Sequence, residues 1–168
     1  MTVPASLRPR FLACLPLLAL ALAGCATVPA RLPVGSSRGQ ALQQLGQPTA
    51  TYPMPGGGER LQYSRQPSGY QVNNVDLDSG GHVVAIVQAL DDPVFNSPIV
   101  VGKWREADVL RAYGKPYQVT RVTSFDGPVW SWQFMDLSTP RLFYVFFDPD
   151  GDVAPFFAGV NPNILNVY

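Results

Sequence analysis

The chain has 168 residues with 12 basic and 12 acidic side chains, so its formal net charge is zero. That balance argues against nucleic acid or an anionic lipid surface as the main partner, since either would call for a basic excess. Its two cysteines, Cys14 and Cys25, both fall in the first 25 residues, which leaves the body of the chain without disulfides or thiol chemistry and dependent on packing.

At the N-terminus, Arg8 and Arg10 precede an apolar run from Phe11 to Ala23 broken only by Pro16. This is the layout of a secretory signal. Thirteen residues are too few for a membrane-spanning helix, which needs about 20. The run closes on Leu22-Ala23-Gly24-Cys25, which resembles the bacterial lipobox. That resemblance implies a signal peptide over 1–24, fatty acylation (palmitate) of Cys25 as the first mature residue, and a tether over 25–33. Ala26 stands where inner-membrane lipoproteins usually carry Asp, so the same resemblance implies the outer membrane, with the domain facing the periplasm. Cleavage leaves 144 residues with ten basic and twelve acidic side chains, enough for one domain or two small ones.

An internal repeat organises what remains. Val34-Gly35 recurs as Val101-Gly102, and Leu45-Gly46-Gln47-Pro48 as Tyr113-Gly114-Lys115-Pro116. Leu61-Gln62-Tyr63 matches Trp130-Ser131-Trp132, and Asp78 to Val83 matches Asp148 to Val153. Loops absorb the small drift in spacing while elements keep register. Two units follow, 34–90 and 102–159, joined by a connector over 91–101 and followed by a tail over 160–168. The connector carries Val94, Phe95, Ile99 and Val100, too apolar for a solvated linker.

Each unit reads as one short helix of about ten residues followed by three strands. In the first, Ser37 and Gln40 suit a capping box, and Ala41, Leu42 and Leu45 share a face. Gly46 and Pro48 stop the helix. In the second, Ala107, Leu110 and Tyr113 form the expected buried stripe and Gly114 with Pro116 the stop, while Gly102-Lys103 gives a poor start. Period-two patterning and apolar runs predict strands over 58–65, 70–77, 82–90, 128–135, 141–148 and 152–158. Asp78-Ser79-Gly80-Gly81 and Pro149-Asp150-Gly151 read as hairpin turns. The fold class is α+β, with helices packed on one face of antiparallel sheets.

Val34-Gly35-Ser36, Gln40-Ala41-Leu42, Leu45-Gly46-Gln47-Pro48 and Leu61 to Pro67 resemble the SmpA/OmlA (BamE-like) family of outer-membrane lipoproteins. The second unit carries the resemblance more loosely, through Tyr113 to Pro116 and Trp130-Ser131-Trp132. Two such units in tandem are also similar to the beta-lactamase inhibitory protein fold. These resemblances imply a non-catalytic, lipid-anchored periplasmic binding or scaffold protein that supports outer-membrane protein assembly or envelope integrity. The protein partner would be barrel-assembly subunits. The alternative is an inhibitor or ligand-binding module acting on a periplasmic hydrolase.

The residues themselves point to no catalytic site, cofactor or metal. His82, alone in the chain, lies at a hairpin start with no orienting set around it. Asp148, Asp150 and Asp152 sit at alternate positions like the start of a calcium loop, which wants glycine at position six and glutamate at twelve. Here glycine is at four and Gly159 at twelve, so a turn is expected. Fourteen of the 19 aromatic residues fall in the last 68. The rows Trp130, Trp132, Phe134 and Phe143, with Tyr144 and Phe146, are the expected partner-binding face, because one short helix cannot cover both sides of so apolar a strand pair. The polar face of the first unit's strands reads as solvated.

Overall fold

A computed structural model describes residues 32–91 and 98–159. The expected signal peptide, Cys25, the tether up to residue 31, residues 92–97 of the connector and the tail over 160–168 lie outside the described residues. Helix α1 (Arg38–Leu45) is followed by strands β1 (Ala50–Pro53), β2 (Glu59–Ser64), β3 (Val72–Leu77) and β4 (Val83–Gln88). Helix α2 (Glu106–Tyr113) is followed by β5 (Gln118–Arg121), β6 (Pro128–Asp136), β7 (Thr139–Phe147) and β8 (Val153–Gly159). The strands form two four-stranded antiparallel sheets, each a meander in chain order. The architecture is α+β with two tandem helix-plus-sheet units. No described helix is long and apolar enough to cross a membrane.

Six of the eight strands lie where patterning places them. The additional β1 and β5 are edge strands of four residues, too short to show a period. They form because the chain leaving each helix stop is captured at once by the neighbouring strand. The N–H of Thr49 donates to Gln62 O at 2.8 Å and that of Tyr117 to Ser131 O at 2.7 Å.

Both helices have eight residues, shorter than expected, and their ends follow from local chemistry. Ser37 Oγ accepts from the N–H of Gln40, and Gln40 Oε1 accepts from that of Ser37 at 2.8 Å, a reciprocal capping box. At the α2 start, Asp108 accepts from the N–H of Arg105 at 3.0 Å, so the start lies beyond the Gly102-Lys103 pair. Each helix ends on a glycine at positive φ, 79° at Gly46 and 71° at Gly114. Their N–H groups close onto Leu42 O and Leu110 O. The buried stripe of α2 is Val109, Ala112 and Tyr113. Leu110 is only half-buried and Ala107 is exposed, so the expected stripe is corrected by a rotation of the helix about its axis.

The repeat is visible atom by atom at the hairpin turns. Asp78 Oδ1 accepts from the N–H of Gly80 and of His82, both at 2.9 Å. Asp148 Oδ1 accepts from the N–H of Asp150 at 3.0 Å and of Asp152 at 2.9 Å. In both, the glycine after the tip, Gly81 or Gly151, takes a positive φ and donates to the aspartate carbonyl at 3.0 Å. The Asp148 carboxylate is therefore engaged in turn formation.

Two apolar clusters hold the body together. In the first, Ala41 and Leu45 of α1 pack with Leu61, Val75, Leu77 and Val83, and Leu32 joins them. In the second, Val109, Ala112 and Tyr113 of α2 pack on Trp130, Trp132, Phe134, Phe143, Val145, Phe147 and Val153. Val72 and Leu90 from the first unit are part of this second cluster, with Ala89 and Ile99 packed against it. Burial of such side chains contributes about 1.5–3 kcal/mol each before entropy is charged against it. The second unit therefore borrows core from the first.

Candidate functional site

The aromatic row comes first. Trp130, Trp132 and Phe134 on β6 pair across to Val145, Phe143 and Arg141 on β7. Trp132 and Phe143 have no exposed surface, and Phe134 and Trp130 are buried too. Tyr113 of α2 seals the row, with ring centroids 5.9 Å from Trp132 and 5.2 Å from Phe143. Trp130 stacks at 4.7 Å on Phe147. Trp130, Trp132, Phe134 and Phe143 are thus core side chains, and the expectation that they meet a partner is corrected. The physical reason is that α2 does not cover the row alone, because Val72 and Leu90 extend its cover from outside the unit.

Tyr144 and Phe146 alternate with that row and stand on the opposite face of the sheet, paired with Ser131 and Val129. Tyr144 is buried, and desolvation raises its phenol above the ordinary value. Phe146 is half-buried and meets Phe125 edge-on at 5.1 Å. Of the six expected partner-binding residues, the structure brings four together in the core and places two behind them.

The first unit's polar face is buried where α2 ends. Arg60, Gln62, Asn74 and Asp76 stand on the face of β2 and β3 opposite α1, in cross-strand pairs. Arg60 grips Asp76 through two contacts, Nε to Oδ1 at 2.6 Å and Nη2 to Oδ2 at 2.8 Å, the bidentate geometry that suits guanidinium. Its Nη1 donates to Arg111 O at 3.1 Å. Gln62 Nε2 reaches Leu110 O and Arg111 O at 3.3 and 3.2 Å, and Asn74 Oδ1 at 3.1 Å. Asn74 Nδ2 donates to Ala112 O at 2.7 Å.

The last carbonyls of any helix lack intrahelical donors and carry about half a negative charge between them. Here Arg111 O and Ala112 O are satisfied by side chains of the preceding unit, a guanidinium among them, and Leu110 O receives Gln62 beside the N–H of Gly114. Gln62 and Asn74 are accordingly 1% and 3% exposed. The expectation of a solvated face is corrected, since a helix end docks there. The signal in the sequence was the polar alternation Arg60-Gln62 and Asn74-Asp76 opposite the row Leu61, Tyr63, Val75 and Leu77. A single sequence does not say that its partner is a helix terminus 36 or more residues further on.

Beside this joint lies a groove of about 440 Å³, lined by Arg60, Asn74, Val87 and Ala89 from the first unit and Ala112 and Tyr113 from α2. Val87 at its wall is 51% exposed. Ile86, Val87, Ala89 and Ala112 give it apolar walls, Arg60 and Asn74 are bonded to α2, and Gln88 and Asp91 add further polar groups.

His82 sits at the exposed β3–β4 turn, its Nδ1 3.8 Å from Asp78 Oδ1. The N–H of His82, with those of Gly80 and Gly81 and the imidazole charge, holds the Asp78 carboxyl below its ordinary value. Among the described residues no three His, Cys, Asp or Glu side chains converge as a metal site. Comparison of the chain with protein-family models, with curated proteins and with solved structures finds no match.

Proposed function

We propose that this chain is a lipid-anchored, non-catalytic scaffold at the periplasmic face of the outer membrane, and that it holds a protein partner in the groove between its two units. The observation that carries the reading is the juxtaposition of Leu22-Ala23-Gly24-Cys25 with a body that begins packing at Leu32. Residues 26–31 between them can extend to about 25 Å at most, so the body works at the surface that holds its anchor. The likeness of the first unit to SmpA/OmlA lipoproteins supports a role in outer-membrane protein assembly or envelope integrity.

Two experiments test it. Replacing Cys25 with Ser should abolish incorporation of labelled fatty acid and release the protein from the outer-membrane fraction. Unchanged acylation would remove the anchor and with it the reading. A photo-crosslinker at Val87 in the native lipoprotein should capture barrel-assembly subunits. Capture of a periplasmic hydrolase instead would replace the scaffold by an inhibitor.

A further inference from the structure

The tether does not simply run into the fold. Leu32, 5% exposed, is pinned in the first core cluster. The chain then turns sharply, with the N–H of Ser36 donating to Pro33 O at 3.2 Å and Gly35 at φ +90°. This turn lifts Val34 to its crest, where it is 67% exposed. The N–H of Gly35 then donates to Val83 O at 2.7 Å and that of Val83 to Ser36 O at 2.8 Å. These bonds bring Val34 to the same margin of the sheet as Val84, which is 51% exposed. The second unit repeats the turn, with Gly102 donating to Val153 O at 2.8 Å and Val101 49% exposed. It carries Ala154 where the first unit has Val84. The first unit thus exposes Val34 and Val84 along the edge that receives the tether, while the second exposes Val100 and Val101 at its own turn.

We infer that Val34 and Val84 form a membrane seat, an apolar margin that rests on the lipid surface to which Cys25 is attached. This rests on the lipoprotein reading above. The occupant follows from where the chain outside the described residues ends: six residues separate the anchor from Leu32, and Val34 lies two residues further on. A short flexible linker holds its two ends at millimolar effective concentration, so a patch too weak to bind lipid unaided still spends most of its time there. The cleaved chain, with ten basic and twelve acidic side chains, has no basic excess to draw it to lipid, which leaves apolar contact as the attraction.

The test uses the full acylated lipoprotein in vesicles of phosphatidylethanolamine and phosphatidylglycerol. Signal cleavage removes Cys14 and acylation blocks Cys25, so Val34→Cys, Val84→Cys, Val119→Cys and Leu137→Cys each provide a single thiol for a fluorophore. Labels at 34 and 84 should be quenched several-fold more by brominated lipid than those at 119 and 137, although Val119 is 55% and Leu137 96% exposed. Equal quenching at all four positions, or quenching at 137 alone, overturns the seat. Protein that fails to acquire acyl label or to bind vesicles overturns the lipoprotein reading instead. Unlabelled protein gives a second measurement. A Val34→Gln, Val84→Gln double variant on vesicles should be cut by trypsin after Arg31 several-fold faster than the parent, and equally fast in detergent. Equal rates on vesicles overturn the seat.

Discussion

The indole Nε1 of Trp132 donates to the carbonyl of Gly114 at 3.2 Å. Its counterpart in the first unit, the hydroxyl of Tyr63, donates to Gly46 O at the same distance. In each unit, then, an aromatic side chain from the second strand of the sheet ties down the glycine that ends the helix. The bond explains why a polar-tipped aromatic occupies that position in both units. Each ring fills the space under its helix and its tip satisfies a terminal carbonyl that the helix itself leaves open.

The first prediction separates ring from tip. Trp132→Phe keeps most of the packing and leaves the buried Gly114 carbonyl unpaired, at a cost of about 1–3 kcal/mol. Trp132→Ala removes the ring as well and should cost about 3–5 kcal/mol. Tyr63→Phe, at a half-buried position where water can replace the hydroxyl, should cost less than Trp132→Phe. Urea unfolding of the soluble protein lacking residues 1–25 ranks the three. A Trp132→Ala variant of unaltered stability would mean that this row is not core.

A second prediction concerns the joint. Asn74→Ala strands Ala112 O and opens the contact with Gln62, costing about 1–3 kcal/mol. Gln62→Ala should cost less, since Leu110 O keeps the N–H of Gly114 and Arg111 O keeps Arg60 Nη1, while Asn74 Oδ1 loses its donor. Because both side chains grip one helix end, the double variant should lose less than the sum of the single losses. Additive losses would show that the amides act independently and that α2 is positioned by its apolar face alone.

Two glycines are constrained for different reasons, and substitution by Ala distinguishes them. A Cβ at Gly151 meets nothing within 4 Å, but φ is +81°, so Gly151→Ala should cost about 1–2 kcal/mol and Gly151→Asn less. A Cβ at Gly58 would lie 2.2 Å from Leu77 O. Backbone must then move, so Gly58→Ala and Gly58→Asn should be equally damaging. Thermal midpoints of the four variants decide the matter.

The pH dependence of the β3–β4 turn has a definite sign. The Asp78 carboxyl titrates below its ordinary value in the folded chain. Its charge therefore contributes stability that is present above the unfolded value and is lost as pH falls through the folded one. Asp78→Asn keeps an acceptor oxygen and removes the charge. The stability gap between the parent and Asp78→Asn should be open at neutral pH and close in the acid range, below about pH 4. A gap that persists unchanged at low pH would assign the effect to shape and not to charge.

How much of this was legible beforehand differs by kind of feature. The spacing of Gly46 and Gly114, and of the two aspartate turns, located helix ends and hairpins because those positions are set by backbone chemistry within five residues. The short β1 and β5 were illegible, since their cause is pairing with a neighbouring strand six to thirteen residues away in the chain. The aromatic row was legible as apolar but not as core. Alternation on β6 and β7 says that two faces exist, and the arrival of Val72 and Leu90 from the other unit is what completes the cover of the tryptophan row. The polar row of Arg60, Gln62, Asn74 and Asp76 misled for the complementary reason, because backbone carbonyls leave no mark in a sequence.

The joint also makes the two units unequal. Where the first sheet presents Arg60, Gln62, Asn74 and Asp76 to a helix end, the matching positions of the second sheet are Val129, Ser131, Tyr144 and Phe146. None of these can replace the guanidinium and the paired amides that receive the carbonyls of Leu110, Arg111 and Ala112. A third unit appended at the C-terminus would find no socket of the same kind. The two units are therefore unequal, one presenting the socket and the other the helix end that fills it.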